Sequence, residues 1–144
     1  MTSLDLDQTR LAPGACSGDS QRGSKVALAE SRFATEFVYT GSDVEHKIEQ
    51  LFGDTKRFDP APYRGRCDLI FIDGSHAYSY IMNDTRKALD MLAPGGTILW
   101  HDYRVADAGS ADVYRALNEL RRELPLVRLA GTAIVAYRSA GAAS

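Results

Sequence analysis

The chain has 144 residues, of which 44% are hydrophobic and 25% are charged, and its formal net charge is −2. These values fit one soluble globular domain with a buried core, and the nearly neutral charge argues against binding to nucleic acid or to an anionic membrane surface. No apolar run approaches the ~20 residues that span a bilayer, and the N-terminus lacks a signal-peptide pattern, so we expect a cytoplasmic protein.

The N-terminal quarter is predicted to contain a strand, a loop and a helix. Residues 2–7 read as the end of a short strand with Asp5 and Asp7 near its tip. Residues 8–24 are rich in Gly, Ser, Pro and charge, which is typical of a mobile loop. Residues 25–37 are compatible with one amphipathic helix.

Residues 47–52 (Lys-Ile-Glu-Gln-Leu-Phe) leave two interpretations open. Their spacing fits a helix that begins at Asp43, or a strand that ends at Gly53-Asp54. We prefer the strand, because the other predicted strands also end in an acidic residue. A loop is predicted over residues 55–66.

Two apolar segments in the middle of the chain end in aspartates. We predict strands over 68–73 and 97–101, the first ending in Asp73 and the second followed by Asp102. Continuous apolar runs are typical of buried parallel strands, and ligands of such sheets bind at the carboxyl ends of the strands. The two aspartates therefore mark the expected site.

A helix over 78–92 separates these strands. One face of it carries apolar or small residues at spacings of three and four: Ile81, Thr85, Ala88, Leu89 and Leu92. We expect Pro94-Gly95-Gly96 to stop the helix and to form a tight turn. Trp100 is expected in the core, and Asn83-Asp84 on the solvated side of the helix.

The C-terminal part predicts one more helix and a hairpin. The helix covers 110–124 with Ser110 as its N-cap, and two β-rich runs, 126–130 and 132–138, suggest an antiparallel hairpin. Residues 139–144 read as a frayed, disordered tail. The fold class is therefore α/β, a mostly parallel sheet with a C-terminal antiparallel hairpin in one domain over 1–138.

The motifs around the two aspartates resemble a known family. Residues 68–78 (Asp-Leu-Ile-Phe-Ile-Asp-Gly-Ser-His-Ala-Tyr), then Asn83-Asp84, and residues 92–102 (Leu-Ala-Pro-Gly-Gly-Thr-Ile-Leu-Trp-His-Asp) are similar to class I S-adenosylmethionine-dependent methyltransferases. The resemblance is to the subgroup with Ile-Asp-Gly-Ser-His after its fourth strand and Pro-Gly-Gly…His-Asp around its fifth, and it covers residues 47–138. It implies a Rossmann-like fold, S-adenosylmethionine as cofactor and methylation of an oxygen atom on a small-molecule acceptor.

The resemblance also implies which residues bind the cofactor. Family members keep an acidic residue at the tip of the second strand for the ribose hydroxyls, and Asp5 matches it best, with Asp7 second. The pair Gly53-Asp54, with Thr55 beside it, matches the family position that meets the adenine amine. Asp73 and Gly74 complete the predicted cofactor-binding residues.

One family feature has no counterpart in the sequence. Members of the family have a first strand and an acidic-x-Gly-x-x-x-Gly turn before the second strand, and nothing before Asp5 matches them. The resemblance therefore predicts an N-terminally truncated domain. This keeps an alternative open, a non-catalytic remnant that cannot bind the cofactor alone. A dinucleotide-binding oxidoreductase is disfavoured, because no Gly-x-Gly-x-x-Gly is present.

Two mechanisms remain open for the predicted catalytic residues His76, His101 and Asp102. In one, Asp73 and Asp102 bind Mg²⁺, which lowers the pKa of the acceptor hydroxyl. In the other, His76 or His101 is a general base without a metal. The simpler interpretation is that these aspartates only fix turns. The sequence does not indicate which acceptor is used, and it leaves a homo-oligomer open.

Overall fold

The computed structural model describes residues 2–5, 37–105 and 107–141, and it is a mixed α/β structure. In chain order, the described strands and helices are β1 (Thr2–Asp5), β2 (Glu49–Phe52), β3 (Cys67–Ile72), α1 (Tyr78–Met91), β4 (Leu92–Trp100), α2 (Ala111–Leu120), β5 (Val127–Arg128) and β6 (Val135–Arg138). Short 3-10 helices cover Glu45–Lys47 and Ala61–Tyr63. Neither described helix is both long and apolar enough to cross a membrane.

The described strands form two sheets. β1 and β2 pair in parallel, with Asp5 opposite Phe52. The other sheet has the order β3-β4-β6-β5, in which β3 and β4 are parallel while β6 runs antiparallel to both β4 and β5. This mixed sheet, with its antiparallel strands at the C-terminal end, agrees with the α/β class expected from the sequence.

The core lies between the four-stranded sheet and the two helices. Ile98 and Trp100 of β4 point to the same face because strand side chains alternate, and both are buried against residues of α1 and α2. The indole N–H of Trp100 donates to Thr85 Oγ1 over 2.9 Å, which satisfies both buried polar groups. The expectation that Trp100 is a core residue is confirmed. Leu69 and Phe71 lie on the face of β3 that points away from this core, and they are 63% and 50% exposed.

The junction between α1 and β4 differs from the sequence expectation. We expected a turn at Pro94-Gly95-Gly96 and a strand from residue 97, but β4 begins at Leu92, directly after α1. Gly95 has φ +77°, a conformation that glycine adopts easily. A Cβ on Gly96 would lie 2.8 Å from Leu92 Cδ1 and 3.0 Å from the Cys67 carbonyl oxygen. These glycines therefore let β4 run close to β3 across an irregularity in the pairing.

The remaining boundaries are close to expectation. The strand interpretation of 47–52 is confirmed for residues 49–52. Helix α2 ends at Leu120, four residues early, and Ser110 is at its N-cap without a side-chain cap bond. Ser139, expected in the terminal tail, donates its N–H to the Gly96 carbonyl oxygen. Asp7, the loop over 8–24 and residues 25–36 of the expected helix lie outside the described residues.

Candidate functional site at the carboxyl ends of the strands

Asp73 and Asp102 meet through a histidine. They follow β3 and β4, whose parallel pairing brings their carboxyl ends to the same edge of the sheet. His101 Nδ1 lies 3.1 Å from Asp73 Oδ1 and 3.1 Å from Asp102 Oδ2. The imidazole of His101 therefore bridges the two carboxylates that the sequence analysis singled out.

His76 approaches the same cluster from the loop between β3 and α1. Its Nε2 lies 2.9 Å from Asp102 Oδ2, and its Nδ1 lies 3.1 Å from the carbonyl oxygen of Gly109. A carbonyl and a carboxylate both accept hydrogen bonds. Both contacts can be hydrogen bonds at the same time only when both ring nitrogens of His76 carry a proton. In that state His76 connects the loop after β3 to the loop after β4.

Asp102 is the centre of the cluster. Burial alone would raise the pKa of its carboxyl, but the charge of His101 and the hydrogen bonds from both histidines together hold that pKa below its ordinary value. The Arg104 Nε also lies 3.4 Å from Asp102 Oδ1. The backbone of Asp102 has φ +60°, an uncommon conformation for a residue other than glycine. Such strained positions cluster at functional sites.

The two histidines differ in what they can do. His101 Nδ1 faces both carboxylate oxygens, and when the neutral ring carries its proton on Nδ1, Nε2 on the opposite side of the ring is an acceptor. An imidazole oriented in this way by carboxylates is suited to remove a proton from a ligand. His76, in contrast, faces an oxygen acceptor with each nitrogen.

The predicted Mg²⁺ site at Asp73 and Asp102 stays a prediction, and the arrangement suits Mg²⁺ only in part. Ligand atoms of Asp73, His101 and Asp102 all lie within 4.8 Å of one another, so the geometry offers three donors. One of the three is a nitrogen, whereas Mg²⁺ prefers oxygen ligands. The nearest carboxylate oxygens of Asp73 and Asp102 also lie against His101 Nδ1. Mg²⁺ would have to displace that contact.

Four of the six predicted cofactor-binding residues lie at the ends of two other parallel strands, β1 and β2. Asp5 is the last residue of β1 and is in register with Phe52, which precedes Gly53-Asp54. Asp54 Oδ1 accepts the backbone N–H of Lys56 over 2.9 Å, which forms a local turn. The register therefore brings the backbone of Asp5 to the same end of the sheet as Gly53, Asp54 and Thr55. Carboxylates at strand ends suit the hydroxyl and amine donors of a nucleoside.

Sequence reasoning missed the helix residues behind this loop. The ammonium of Lys87 donates to three carbonyl oxygens, those of Thr55 (2.6 Å), Lys56 (3.0 Å) and Phe58 (2.7 Å). Asp84, expected on a solvated face, has a largely buried carboxyl, and burial raises its pKa despite opposing hydrogen bonds and the charge of Lys87. An Asp three residues before a Lys is typical of an exposed helix, so the sequence carried no signal for this role.

Asp84 also connects the two parts of the site. A Cβ placed on Gly74 would lie 4.0 Å from Asp84 Oδ2, so the helix residue approaches the turn that follows Asp73. Arg104 and the carbonyl of Gly109 are two further contacts of the cluster that sequence reasoning missed. They lie in an irregular loop whose path no periodic pattern specifies.

The fold and the site together define an α/β protein with a polar, histidine-containing site at the carboxyl ends of parallel strands. A family model described as a methyltransferase domain matches residues 2–103, which is more than half of the chain and includes both strand ends. The chain belongs to this family of methyltransferase domains. No curated protein matches it closely enough to serve as a relative.

Proposed function

We propose that the chain is an S-adenosylmethionine-dependent methyltransferase that methylates an oxygen atom of a small molecule. The single observation that carries the proposal is the position of His101 between Asp73 and Asp102, in a domain of a methyltransferase family. When bound, S-adenosylmethionine supplies a methyl group on a positively charged sulfur, which an oxygen nucleophile can attack.

On the cofactor side, the residues after β1 and β2 would bind the nucleoside. The carboxylate of Asp5 would accept the ribose hydroxyls, and Asp54, between Gly53 and Thr55, would accept the adenine amine. This assignment is supported by the register that aligns Asp5 with Phe52. Asp73 and Gly74 would border the cofactor at the end of β3.

On the acceptor side, His101 would act as the general base. Its Nδ1, which lies 3.1 Å from a carboxylate oxygen of Asp73 and of Asp102, would carry the ring proton, and its Nε2 would take the proton of the acceptor hydroxyl as the oxygen attacks the methyl group. The two negative charges would stabilise the imidazolium that results. Alignment of the acceptor with the methyl group would supply much of the remaining rate enhancement.

His76 would hold the site together. Because both of its nitrogens face oxygen acceptors, it would not be the base but would fix Asp102 and the loop at Gly109. The proposed mechanism needs no metal, and the contacts of His101 Nδ1 with the carboxylate oxygens that Mg²⁺ would use support the metal-free version.

The test compares three histidine variants for methyl transfer from radiolabelled S-adenosylmethionine to a panel of phenols, aliphatic alcohols and sugars. We expect His101→Gln to lower kcat by about 10²–10⁴-fold with little change in S-adenosylhomocysteine affinity, and His76→Gln to raise mainly KM. His46 is exposed, so His46→Gln is the matched control and should change nothing. Full activity of His101→Gln would reject its role as base, and a wild-type chain that binds no cofactor would support the remnant alternative.

A further inference from the structure

The loop after β2 is held by one side of helix α1. Residues 54–58, called here the β2 loop, present three carbonyl oxygens to a single ammonium, that of Lys87, at 2.6–3.0 Å. An ammonium has three protons to donate, so Lys87 can give one to each of the three carbonyls. A single side chain thus fixes the direction of three peptide groups in a loop without regular secondary structure.

Other residues of α1 approach the same loop. Asn83 Nδ2 lies 3.4 Å from the Thr55 carbonyl oxygen and 2.8 Å from Asp84 Oδ1. Lys56 of the β2 loop donates to Ser79 Oγ over 2.7 Å. Ser79, Asn83 and Lys87 are four residues apart and lie on the same side of the helix, and the buried carboxyl of Asp84 supplies negative charge close to Lys87.

One peptide group connects Lys87 to Asp54. The carbonyl of Thr55 accepts from Lys87, and the N–H of the same peptide, which belongs to Lys56, donates to Asp54 Oδ1 over 2.9 Å. A trans peptide is planar and its C=O and N–H point in opposite directions. The ammonium that orients the carbonyl therefore also aims the N–H at the carboxylate.

We propose that Lys87 is a positioning residue that sets the orientation of the Asp54 carboxylate through the Thr55–Lys56 peptide and thereby the affinity for the adenosine part of the cofactor. The inference rests on the proposed function, because it takes the β2 loop as the adenosine-binding loop. It goes beyond that function in assigning cofactor affinity to a helix residue whose ammonium donates to backbone carbonyls.

The test uses Lys87→Met, which keeps the length of the side chain and removes its three donors. Arg86→Met is the matched control, because Arg86 is an exposed cation on the same helix. Calorimetry measures the Kd of adenosine and of S-adenosylhomocysteine for the full chain. We expect Lys87→Met to raise both constants by the same factor, about tenfold, and Arg86→Met to leave both unchanged.

A double-mutant cycle separates positioning from general stabilisation. If Lys87 acts through Asp54, Lys87→Met should weaken adenosine binding in the wild type but add less than twofold in an Asp54→Ala background. Additive losses would overturn the proposal. If Lys87→Met does not fold, the same cycle is measured with Lys87→Gln, whose side-chain amide retains part of the hydrogen-bond donors.

Amide hydrogen exchange tests the positioning role of Lys87 independently of the proposed function. The Lys56 amide should exchange faster in Lys87→Met than in Arg86→Met, while the amides of α2 are unchanged. If the wild type binds neither ligand, the proposed function fails, and faster Lys56 exchange still supports the positioning of the loop. Unchanged Lys56 exchange, or unchanged affinities in a wild type that binds, would overturn the inference.

Discussion

The loops at the two ends of the site are built by different interactions. At the ends of β3 and β4, the contacts join imidazole nitrogens to carboxylate oxygens, with His101 between Asp73 and Asp102. In the β2 loop, the main contacts join one ammonium to backbone carbonyls. The first region contains groups that can exchange protons, and the second contains fixed peptide groups. The difference agrees with the proposal of chemistry at the first region and cofactor binding at the second.

The pKa values of Asp102 and Asp84, one aspartate from each region, are shifted in opposite directions for a physical reason. Around Asp102, the two histidines outweigh the effect of burial, so its pKa is lowered. Around Asp84, burial outweighs Asn83, Thr55 and Lys87, so its pKa is raised. The surroundings of Asp102 therefore favour its carboxylate form, whereas burial disfavours ionisation of Asp84.

The largest effect should come from Asp102→Asn. The change removes the charge that orients His101 and His76, and we expect turnover to fall by about 10²–10⁴-fold with little change in S-adenosylhomocysteine affinity. Steady-state kinetics and calorimetry on the same preparation measure the two quantities. Asp68 is an exposed residue of β3, and Asp68→Asn is the control. An equal loss of affinity would remove the distinction between the two regions.

Gly96→Ala should affect both regions alike, through the scaffold that they share. The new Cβ would meet Leu92, Ala93 and Cys67 at 2.8–3.0 Å, and we expect a loss of about 1–3 kcal/mol in the free energy of unfolding. Gly141→Ala, where nothing lies within 4 Å of the added Cβ, should be neutral. Urea unfolding of both variants checks this, and equal stability would mean that the close approach at Gly96 is absent.

Asp84→Asn should stabilise the chain in a pH-dependent way. The ordinary pKa of Asp is 3.8 and that of Asp84 is raised, so between the two values the folded state binds more protons and stability falls as pH rises. The variant lacks this loss. Its melting temperature should exceed that of the wild type at pH 7, and the difference should shrink as the pH falls towards 3.8.

The pH dependence of stability has the opposite sign for Asp102, and a comparison of the two aspartates is the sharper check. The lowered pKa of Asp102 contributes stability that is complete above the ordinary value of 3.8 and is lost as pH falls through the lower, folded-state value. Asp102→Asn should therefore be less stable than the wild type at pH 7 and approach it in acid. Melting curves of Asp84→Asn, Asp102→Asn and the wild type from pH 3 to pH 8 measure both effects. Differences of the same sign from the wild-type melting temperature at pH 7 in both variants would contradict this account.

Removal of divalent metal should have the smallest effect. Because His101 Nδ1 lies against the carboxylate oxygens that Mg²⁺ would use, we expect EDTA to leave methyl transfer and S-adenosylhomocysteine binding within twofold. Activity assays with EDTA and with added Mg²⁺ decide this. A loss of activity restored by Mg²⁺ would bring back the metal mechanism.

Much of the fold was predictable because its elements are strongly periodic or continuously apolar. The apolar run that forms β3 and the three-and-four spacing of α1 are local patterns, and both elements lie within one residue of their predicted ends. The start of β4 was not predictable in this way. Pro-Gly-Gly is locally a helix stop and a turn, and only the pairing of Leu92 with Cys67 makes it part of the strand.

The candidate site was predictable only as far as strand ends could be located. Asp73 and Asp102 were placed at the same edge by the parallel order of their strands. His76 lies three residues after Asp73, and His101 directly precedes Asp102. Which histidine bridges the carboxylates depends on the path of the loops, and Gly109 enters through such a loop. The contacts of Lys87 depend on tertiary packing, because its partners are carbonyls about thirty residues away.

Calorimetric titration of the 144-residue chain with S-adenosylhomocysteine tests the central claim most directly, because it requires no knowledge of the acceptor. We expect one molecule to bind per chain with a micromolar Kd, and Asp54→Ala to weaken that binding while His101→Gln leaves it within twofold. Absence of binding at millimolar ligand by a chain that is folded in the same buffer would contradict the claim.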